Sequence, residues 1–161
     1  MANDFLQSIT IYYANIWKND VYALTYIDNN SHVHWDCEYK VCFIDKLKNV
    51  LGTYTLPITR HCIGTICYPD NNIYTFVNFK YLDDHDGASL IVDFYKIEND
   101  YTITKLKDYV VSLGYSCGGT IGRICRLSKE NYCAIWSDTT NNEDYNCLNF
   151  DLNNHTAVTN S

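Results

Sequence analysis

A threefold internal repeat is the feature of this sequence that most constrains its fold. Three stretches align without a gap: ITIYYANIWKNDVYALTYID from Ile9, HCIGTICYPDNNIYTFVNFK from His61 and GTIGRICRLSKENYCAIWSD from Gly119. In all three, an Ile lies 11 residues before a Tyr, and these tyrosines are Tyr22, Tyr74 and Tyr132. A unit that recurs at this spacing predicts a repeat architecture, in which neighbouring units bury a shared core.

A second aromatic anchor follows each of these tyrosines. Phe43, Phe94 and Phe150 lie 21, 20 and 18 residues further along the chain, and an Asn-containing turn and a Thr-bearing stretch come after each one. The repeat units are therefore predicted at approximately residues 8–59, 60–117 and 118–161 of a single domain, 1–161.

Each unit is predicted to contain four short β-strands, which in the second unit are CIGTIC, IYTFVNF, SLIVDFY and YTITKL. Polar turn sequences separate them, such as PDNN at 69–72, DHDG at 84–87 and ENDY at 98–101. The composition agrees, because 15 Tyr and 15% aromatic residues favour strands, while the abundant Asn favours turns. We expect an all-β protein of three tandem four-stranded antiparallel units.

This pattern resembles the blades of kelch-like and lectin-like β-propellers. The resemblance is carried by DNNIYTFVNF, LIVDFYKIEND and YTITKL in the second unit, which recur as KENYCAIWSD, YNCLNFDLNN and TAVT in the third. Closed propellers have roughly four to eight blades, so the resemblance implies that the three units form half of a six-bladed ring, completed by a homodimer. A β-trefoil, which is also built from three four-stranded units, is the alternative.

The charge of the chain limits its partners. With 12 Lys and Arg against 19 Asp and Glu, the formal net charge is −7, which disfavours binding to nucleic acid or to an anionic membrane surface. No apolar run is long enough to cross a bilayer, and the start, MANDFLQSIT, lacks the pattern of a secretory signal. If Met1 is the natural start, the expected location is intracellular; otherwise the compartment stays open.

Aromatic rings beside polar side chains are the strongest candidates for ligand binding. Sugar sites commonly set such a ring against the apolar face of a pyranose, while Asp, Asn or Arg holds the hydroxyl groups. The segments HWD, AIWSD and GRICR offer these residue types near predicted strand ends. The candidate ligand-binding residues are Trp17, Trp35, Asp36, Arg123, Arg126, Trp136 and Asp138. The alternative for each Trp is packing between units.

Two other kinds of site are conceivable. His32, His34 and Asp36 alternate in SHVHWD and would share one face of a strand, as weak candidates for a zinc site. The 8 Cys fit a core or disulfide role better than a zinc site, and Cys133 and Cys147 lie on strands predicted to be neighbours. No cofactor is predicted.

The sequence therefore favours a non-catalytic, lectin-like protein that recognises carbohydrate as a self-assembled propeller. The first alternative is a protein-interaction module that uses the variable loops at 27–36, 80–89 and 137–146. The second is a small metal-dependent hydrolase built on His32, His34 and Asp36.

Overall fold

The computed structural model describes residues 2–18, 20–28, 37–57, 61–81, 88–112, 120–138, 145–153 and 157–160. These residues form twelve β-strands and one six-residue helix, α1 (Ala2–Gln7). The all-β prediction is thus confirmed. No helix in the described part of the chain is long and apolar enough to span a membrane.

The strands form three separate antiparallel sheets of four strands each, and every sheet follows the order of the chain. Sheet 1 contains β1 (Ile9–Ile16), β2 (Val21–Asp28), β3 (Lys40–Asp45) and β4 (Val50–Thr55). Sheet 2 contains β5 (His61–Tyr68), β6 (Ile73–Tyr81), β7 (Ala88–Ile97) and β8 (Ile103–Ser112). Sheet 3 contains β9 (Thr120–Arg126), β10 (Asn131–Asp138), β11 (Tyr145–Asp151) and β12 (Ala157–Asn160).

Short side chains fix the turns between strands. At the β3–β4 turn, the Asp45 carboxylate accepts hydrogen bonds from the backbone N–H groups of Leu47 and Asn49, at 2.9 and 2.8 Å. At the β7–β8 turn, Asp100 accepts one from the N–H of Thr102 at 3.1 Å. These Asp-centred bonds replace strand pairing where the chain reverses. The predicted turns at 69–72 and 98–101 lie between strands, whereas 84–87 lies outside the described residues.

The first anchor of the repeat keeps one position in all three sheets. Tyr22, Tyr74 and Tyr132 lie on the second strand of their sheet. The side chains of Tyr74 and Tyr132 point toward the sheet that comes before their own in the chain, and that of Tyr22 points toward the side of sheet 1 on which α1 lies. Tyr74 is fully buried against sheet 1, and Tyr132 is buried against sheet 2. The repeat therefore marks the face that each unit offers to the unit before it.

The second anchor does not keep one position, which corrects the alignment drawn from the sequence. Phe150 lies opposite Tyr132 in sheet 3. In the other two sheets, the residues opposite the anchor tyrosines are Ile44 and Tyr95, one position after Phe43 and Phe94. Because neighbouring residues of a strand point to opposite faces, Phe150 faces sheet 2, whereas Phe43 and Phe94 face the sheet that follows their own.

The core between sheets 1 and 2 is apolar in its centre and polar near β1 and β5. It contains Phe43 and Val41 of sheet 1 packed with Phe76 and Tyr95 of sheet 2. The polar part joins the sheets by hydrogen bonds: Asn15 Nδ2 donates to Thr65 O at 3.2 Å and to Thr65 Oγ1 at 3.0 Å, and Thr25 Oγ1 lies 2.7 Å from Tyr74 Oη. The first strands of sheets 1 and 2 therefore lie side by side.

The core between sheets 2 and 3 is organised around Phe94. Its ring centroid lies 5.0 Å from that of Tyr132, 6.0 Å from Tyr109 and 6.4 Å from Phe150. Phe94 and Phe150 have no exposed surface. Strands β5 and β9 also contact each other, so the three first strands lie next to one another in chain order.

The two outer faces of this stack differ. On sheet 1, Phe5 and Leu6 of α1 cover a small cluster that includes Tyr26, whose ring centroid lies 5.6 Å from that of Phe5. On sheet 3, the register places Asn149 where sheets 1 and 2 carry Phe43 and Phe94. Among the described residues, no buried apolar cluster lies on that outer face of sheet 3.

The trefoil alternative does not describe this arrangement. A trefoil joins its units through a shared closed barrel, whereas the hydrogen-bonded pairing of the described strands stays within each unit. The described residues form an array of three four-stranded meanders packed face to face.

Candidate functional site

An open cleft lies where the first turns of the second and third units meet. The turn between β5 and β6 and the turn between β9 and β10 form its walls, and its volume is about 420 Å³. The residues that line it are Tyr68, Pro69, Asp70, Arg126, Leu127 and Ser128. It lies between two units because both turns project from the same end of adjacent sheets.

Arg126, the last residue of β9, is the centre of the cleft. Its Nη1 and Nη2 donate to the two carboxylate oxygens of Asp70, at 2.5 and 2.6 Å, and its Nε donates to the backbone oxygen of Ser128 at 2.8 Å. The guanidinium carbon also lies 4.6 Å from the centroid of the Tyr68 ring. Two-point binding to a carboxylate together with stacking on a ring holds the planar guanidinium in one orientation.

The charges of the pair reinforce each other. The hydrogen bonds from Arg126 hold the pKa of the Asp70 carboxyl below its usual value, and those to Asp70 raise the pKa of Arg126 above its own. The pair therefore stays ionised at neutral pH. Because the Asp70 pKa is lowered, the interaction is complete above the normal Asp pKa of about 4 and is lost as the pH falls through the lowered pKa of Asp70.

Asn71 ties the two turns together beneath this ion pair. Its Nδ2 donates to the backbone oxygen of Lys129 at 3.0 Å and to the hydroxyl of Tyr132 at 2.8 Å. Its Oδ1 accepts a hydrogen bond from the N–H of Ile73 at 3.2 Å. Since Tyr132 is buried in the core between sheets 2 and 3, the floor of the cleft is anchored to that core, and the cleft is formed before any ligand arrives.

This arrangement suits recognition of a hydroxyl-rich ligand. The Tyr68 side chain, with a residue exposure of 37%, offers part of a ring at the surface. Asp70, whose side chain is 45% exposed, offers carboxylate oxygens as acceptors within one open concavity, and Arg126, whose side chain is 12% exposed, holds those oxygens in position. A ring beside fixed polar groups is the combination that binds a pyranose through its apolar face and its hydroxyls.

The structure distributes the sequence-predicted residues differently. Of the predicted set, Arg126 lies in the cleft. Arg123 is exposed on β9. Its positive charge lowers the pKa of Tyr13 on β1, but burial raises that pKa more strongly, so the net shift of Tyr13 is upward. Trp17 is only 2% exposed and packs against Phe43 and Tyr101 between sheets 1 and 2. Its ring is therefore part of a core, and we leave it out of the candidate site.

The remaining predicted residues cannot be placed at the cleft. Trp35, Asp36, His32 and His34 lie outside the described residues, as do most of the loops at 27–36, 80–89 and 137–146. The backbones of Trp136 and Asp138 belong to β10, but their side chains lie outside the described part of the structure.

Sequence reasoning missed Tyr68, Asp70 and Ser128. By itself, PDNN at 69–72 predicts only a turn, and comparing equivalent loops of a repeat does not reveal which residues face each other. The sequence does contain a signal for this site. The repeat aligns the turn at 69–72 with the turn at 127–130, and opposite charges lie at these two turns, on Asp70 and Arg126. Adjacent units would bring such turns together.

A second polar cluster lies inside the array, between sheets 1 and 2. Asp93 of β7 is 2% exposed, accepts a hydrogen bond from Asn78 Nδ2 at 3.2 Å and lies 2.8 Å from Lys105 Nζ. Burial raises the pKa of Asp93, although Lys105 and Asn78 partly offset that effect. Asp93 is buried but the Lys105 side chain is 46% exposed, and we interpret this ion pair as structural.

Comparison with known proteins adds no further assignment. None of the protein-family models, curated proteins or solved structures compared with the chain matches it. Within the described ranges, no three His, Cys, Asp or Glu side chains converge as a metal site requires.

Proposed function

We propose that the protein is a non-catalytic, lectin-like carbohydrate-binding module, and that the cleft between the second and third units is its binding site. The observation that carries the proposal is Arg126, which is held between the Asp70 carboxylate and the Tyr68 ring in an open, preformed concavity. A sugar ring would lie against Tyr68, and its hydroxyls would bind the carboxylate and the guanidinium.

Weak binding is expected from the shape of the site. An open cleft leaves much of a ligand in water, so a short sugar would make few contacts with the protein. A dissociation constant of about 0.1–1 mM for a mono- or disaccharide, or about −4 to −5.5 kcal/mol, is consistent with such a surface. Tighter binding would require one glycan to occupy the clefts of several chains at the same time.

One site per chain is expected. At the boundary between the first and second units, the register places Trp17 and Cys67 where the cleft has Tyr68 and Arg126. Both Trp17 and Cys67 are buried, so this boundary lacks the exposed ring and the fixed guanidinium.

Propeller formation is the second part of the proposal. Support comes from three sequential meanders packed face to face with neighbouring first strands, which is the arrangement of propeller blades. Two chains that complete a six-bladed ring would have to bring a second sheet against the outer face of sheet 1. Because Phe5 and Leu6 of α1 cover that face, we propose that the homodimer forms only when α1 is released.

A glycan screen at high protein concentration tests the binding function. We expect the wild-type protein to bind a defined group of sugars, and both Tyr68→Ala and Arg126→Lys to lose at least tenfold in affinity. Tyr54→Ala is the matched control, since Tyr54 is also partly exposed but lies on β4, away from the cleft. Absence of binding by the wild type, or equal binding by all four proteins, would contradict the proposal.

A protein-interaction role is the second candidate function. The exposed apolar side chains of β1, namely Ile11, Tyr12 and Ile16, favour it. Strand β1 is at the edge of sheet 1, and such apolar groups on an edge strand are typical of interaction surfaces. The hydrolase alternative depends on His32, His34 and Asp36, which lie outside the described residues.

A further inference from the structure

Three cysteines lie on one face of sheet 3, on three adjacent strands. Cys125 of β9 is directly opposite Cys133 of β10, and Cys147 of β11 is opposite Ile135, two residues further along β10. Residues two apart on a strand share a face, so the three side chains point to the same side. It is the outer side, opposite the core with sheet 2 that contains Tyr132 and Phe150.

Two of the three thiols, those of Cys133 and Cys147, are in direct contact. The sulfur atoms of Cys133 and Cys147 lie 2.9 Å apart, and Cys125 Sγ lies 3.6 Å from the backbone oxygen of Cys133. Cys125 is exposed, Cys147 is half-buried and Cys133 is buried. One thiol is thus enclosed between two that solvent can reach.

The position of Cys133 and Cys147 in the repeat lies outside the two cores between sheets. The register places Ala23 and Thr75 of the other sheets at the position of Cys133, and Val41 and Val92 at the position of Cys147. Those four residues are buried within the two cores. In sheet 3 the same positions face outward, and although Cys133 is buried, neither Cys133 nor Cys147 belongs to an apolar cluster of the described residues.

We propose that Cys133 and Cys147 form a reversible disulfide by thiol–disulfide exchange with a small-molecule disulfide of the glutathione class. The proposal does not depend on carbohydrate binding, because neither cysteine lines the cleft. It identifies the outer face of sheet 3 as a redox-sensitive site.

The exchange proceeds in two balanced steps. In the first, the Cys147 thiolate attacks one sulfur of the small disulfide, a mixed disulfide forms, and the first small thiolate leaves. In the second, Cys133 gives its proton to solvent, and its sulfur attacks Cys147 Sγ. The bond to the small molecule then breaks, and the second small thiolate leaves. Two cysteine thiols are oxidised, and one disulfide is reduced to two thiols.

The order of the two steps follows from the environments. Burial, followed by the contact with Cys147, raises the pKa of Cys133 above its usual value, so Cys133 keeps its proton until the second step. The thiolate is the attacking species in such exchange. Cys147, which is half-buried, is the thiol that meets the small disulfide first, and Cys133 reacts with it from within contact distance.

The test treats the native protein with oxidised glutathione, blocks the remaining thiols with N-ethylmaleimide, and maps the cysteines by mass spectrometry. We expect an intramolecular Cys133–Cys147 disulfide, while Cys42 and Cys67, which are buried in the described structure, stay reduced. Dithiothreitol should return both thiols.

Single variants separate the roles of the three cysteines. Cys133→Ser should stop at one glutathione on Cys147, because the second thiol is missing, and Cys125→Ser should still form the disulfide. The proposal is overturned if mapping of the wild type shows Cys133 and Cys147 reduced, or if it shows either joined to another cysteine. Both of these outcomes are measured on the wild-type protein, so they do not depend on whether a variant folds.

Discussion

Replacing Phe94 by Ala tests how the second and third units are held together. Phe94 has no exposed surface, and its ring packs against those of Tyr109, Tyr132 and Phe150 across the boundary between sheets 2 and 3. Truncating a buried Phe to Ala typically costs 3–5 kcal/mol, because transfer free energy is lost and a cavity remains. Because the variant also removes the favourable interactions between these aromatic rings, about 4 kcal/mol is expected.

Equilibrium unfolding in urea, followed by tyrosine and tryptophan fluorescence, measures this loss. For a chain of this length, about 4 kcal/mol lowers the melting temperature by about 8–16 °C. The matched control is Asn149→Ala, since Asn149 occupies the Phe94 position in sheet 3 but faces outward. A surface change of this kind stays within about 0.5 kcal/mol.

The test compares the loss of unfolding free energy in Phe94→Ala with that in Asn149→Ala. A loss of less than about 1 kcal/mol for Phe94→Ala would refute the assignment of Phe94 to a shared core. A loss as large for Asn149→Ala as for Phe94→Ala would show that the outer face of sheet 3 is covered, and would contradict the description of the array as open at that end.

Four other outcomes follow from the structure. Lys48→Gly should raise the free energy of unfolding by about 0.5 kcal/mol in urea titrations, because Lys48 has a φ of 67° that glycine adopts without strain; no gain would contradict this. Gly52→Ala should lower it by about 2 kcal/mol, because a Cβ there would lie 2.8 Å from the Tyr101 carbonyl oxygen; a neutral result would refute the close approach. Asp93 has a raised pKa, so its contribution to stability is complete below about pH 4 and is lost as the pH rises through its folded pKa. Wild type should therefore lose stability relative to Asp93→Asn between acidic and neutral pH, whereas parallel pH profiles would contradict the raised pKa. Deleting residues 2–8 should shift the native mass from 18.7 kDa toward twice that value, and an unchanged mass would contradict gating of the dimer by α1.

The three-sheet arrangement was accessible from the sequence because it depends on local patterns. A repeated Tyr on the second strand, alternating apolar residues and Asp- or Asn-rich turns specify each four-stranded unit without knowledge of its neighbours. The register of the second anchor was not accessible. Phe43, Phe94 and Phe150 look equivalent by spacing, but the loops before them differ in length, and a shift of one residue turns a side chain to the other face.

The site was harder to predict than the fold for a related reason. A binding cleft depends on which residues of different units face each other, and sequence spacing does not report that. Trp17 has the residue type of a sugar-stacking ring, yet the packing of Phe43 and Tyr101 encloses it. Tyr68 and Asp70 acquire their proposed role only through Arg126, which lies 56 residues from Asp70.

Isothermal titration calorimetry with a sugar selected by the glycan screen tests the central claim most directly. We predict one binding site per chain for the wild type, no detectable heat of binding for Tyr68→Ala, and an affinity that is constant from neutral pH down to the normal Asp pKa of about 4 and falls only as the pH drops through the lowered pKa of Asp70. Saturable binding that Tyr68→Ala leaves unchanged would contradict the cleft as the site. Absence of heat with every sugar tested on the wild type would contradict carbohydrate recognition itself.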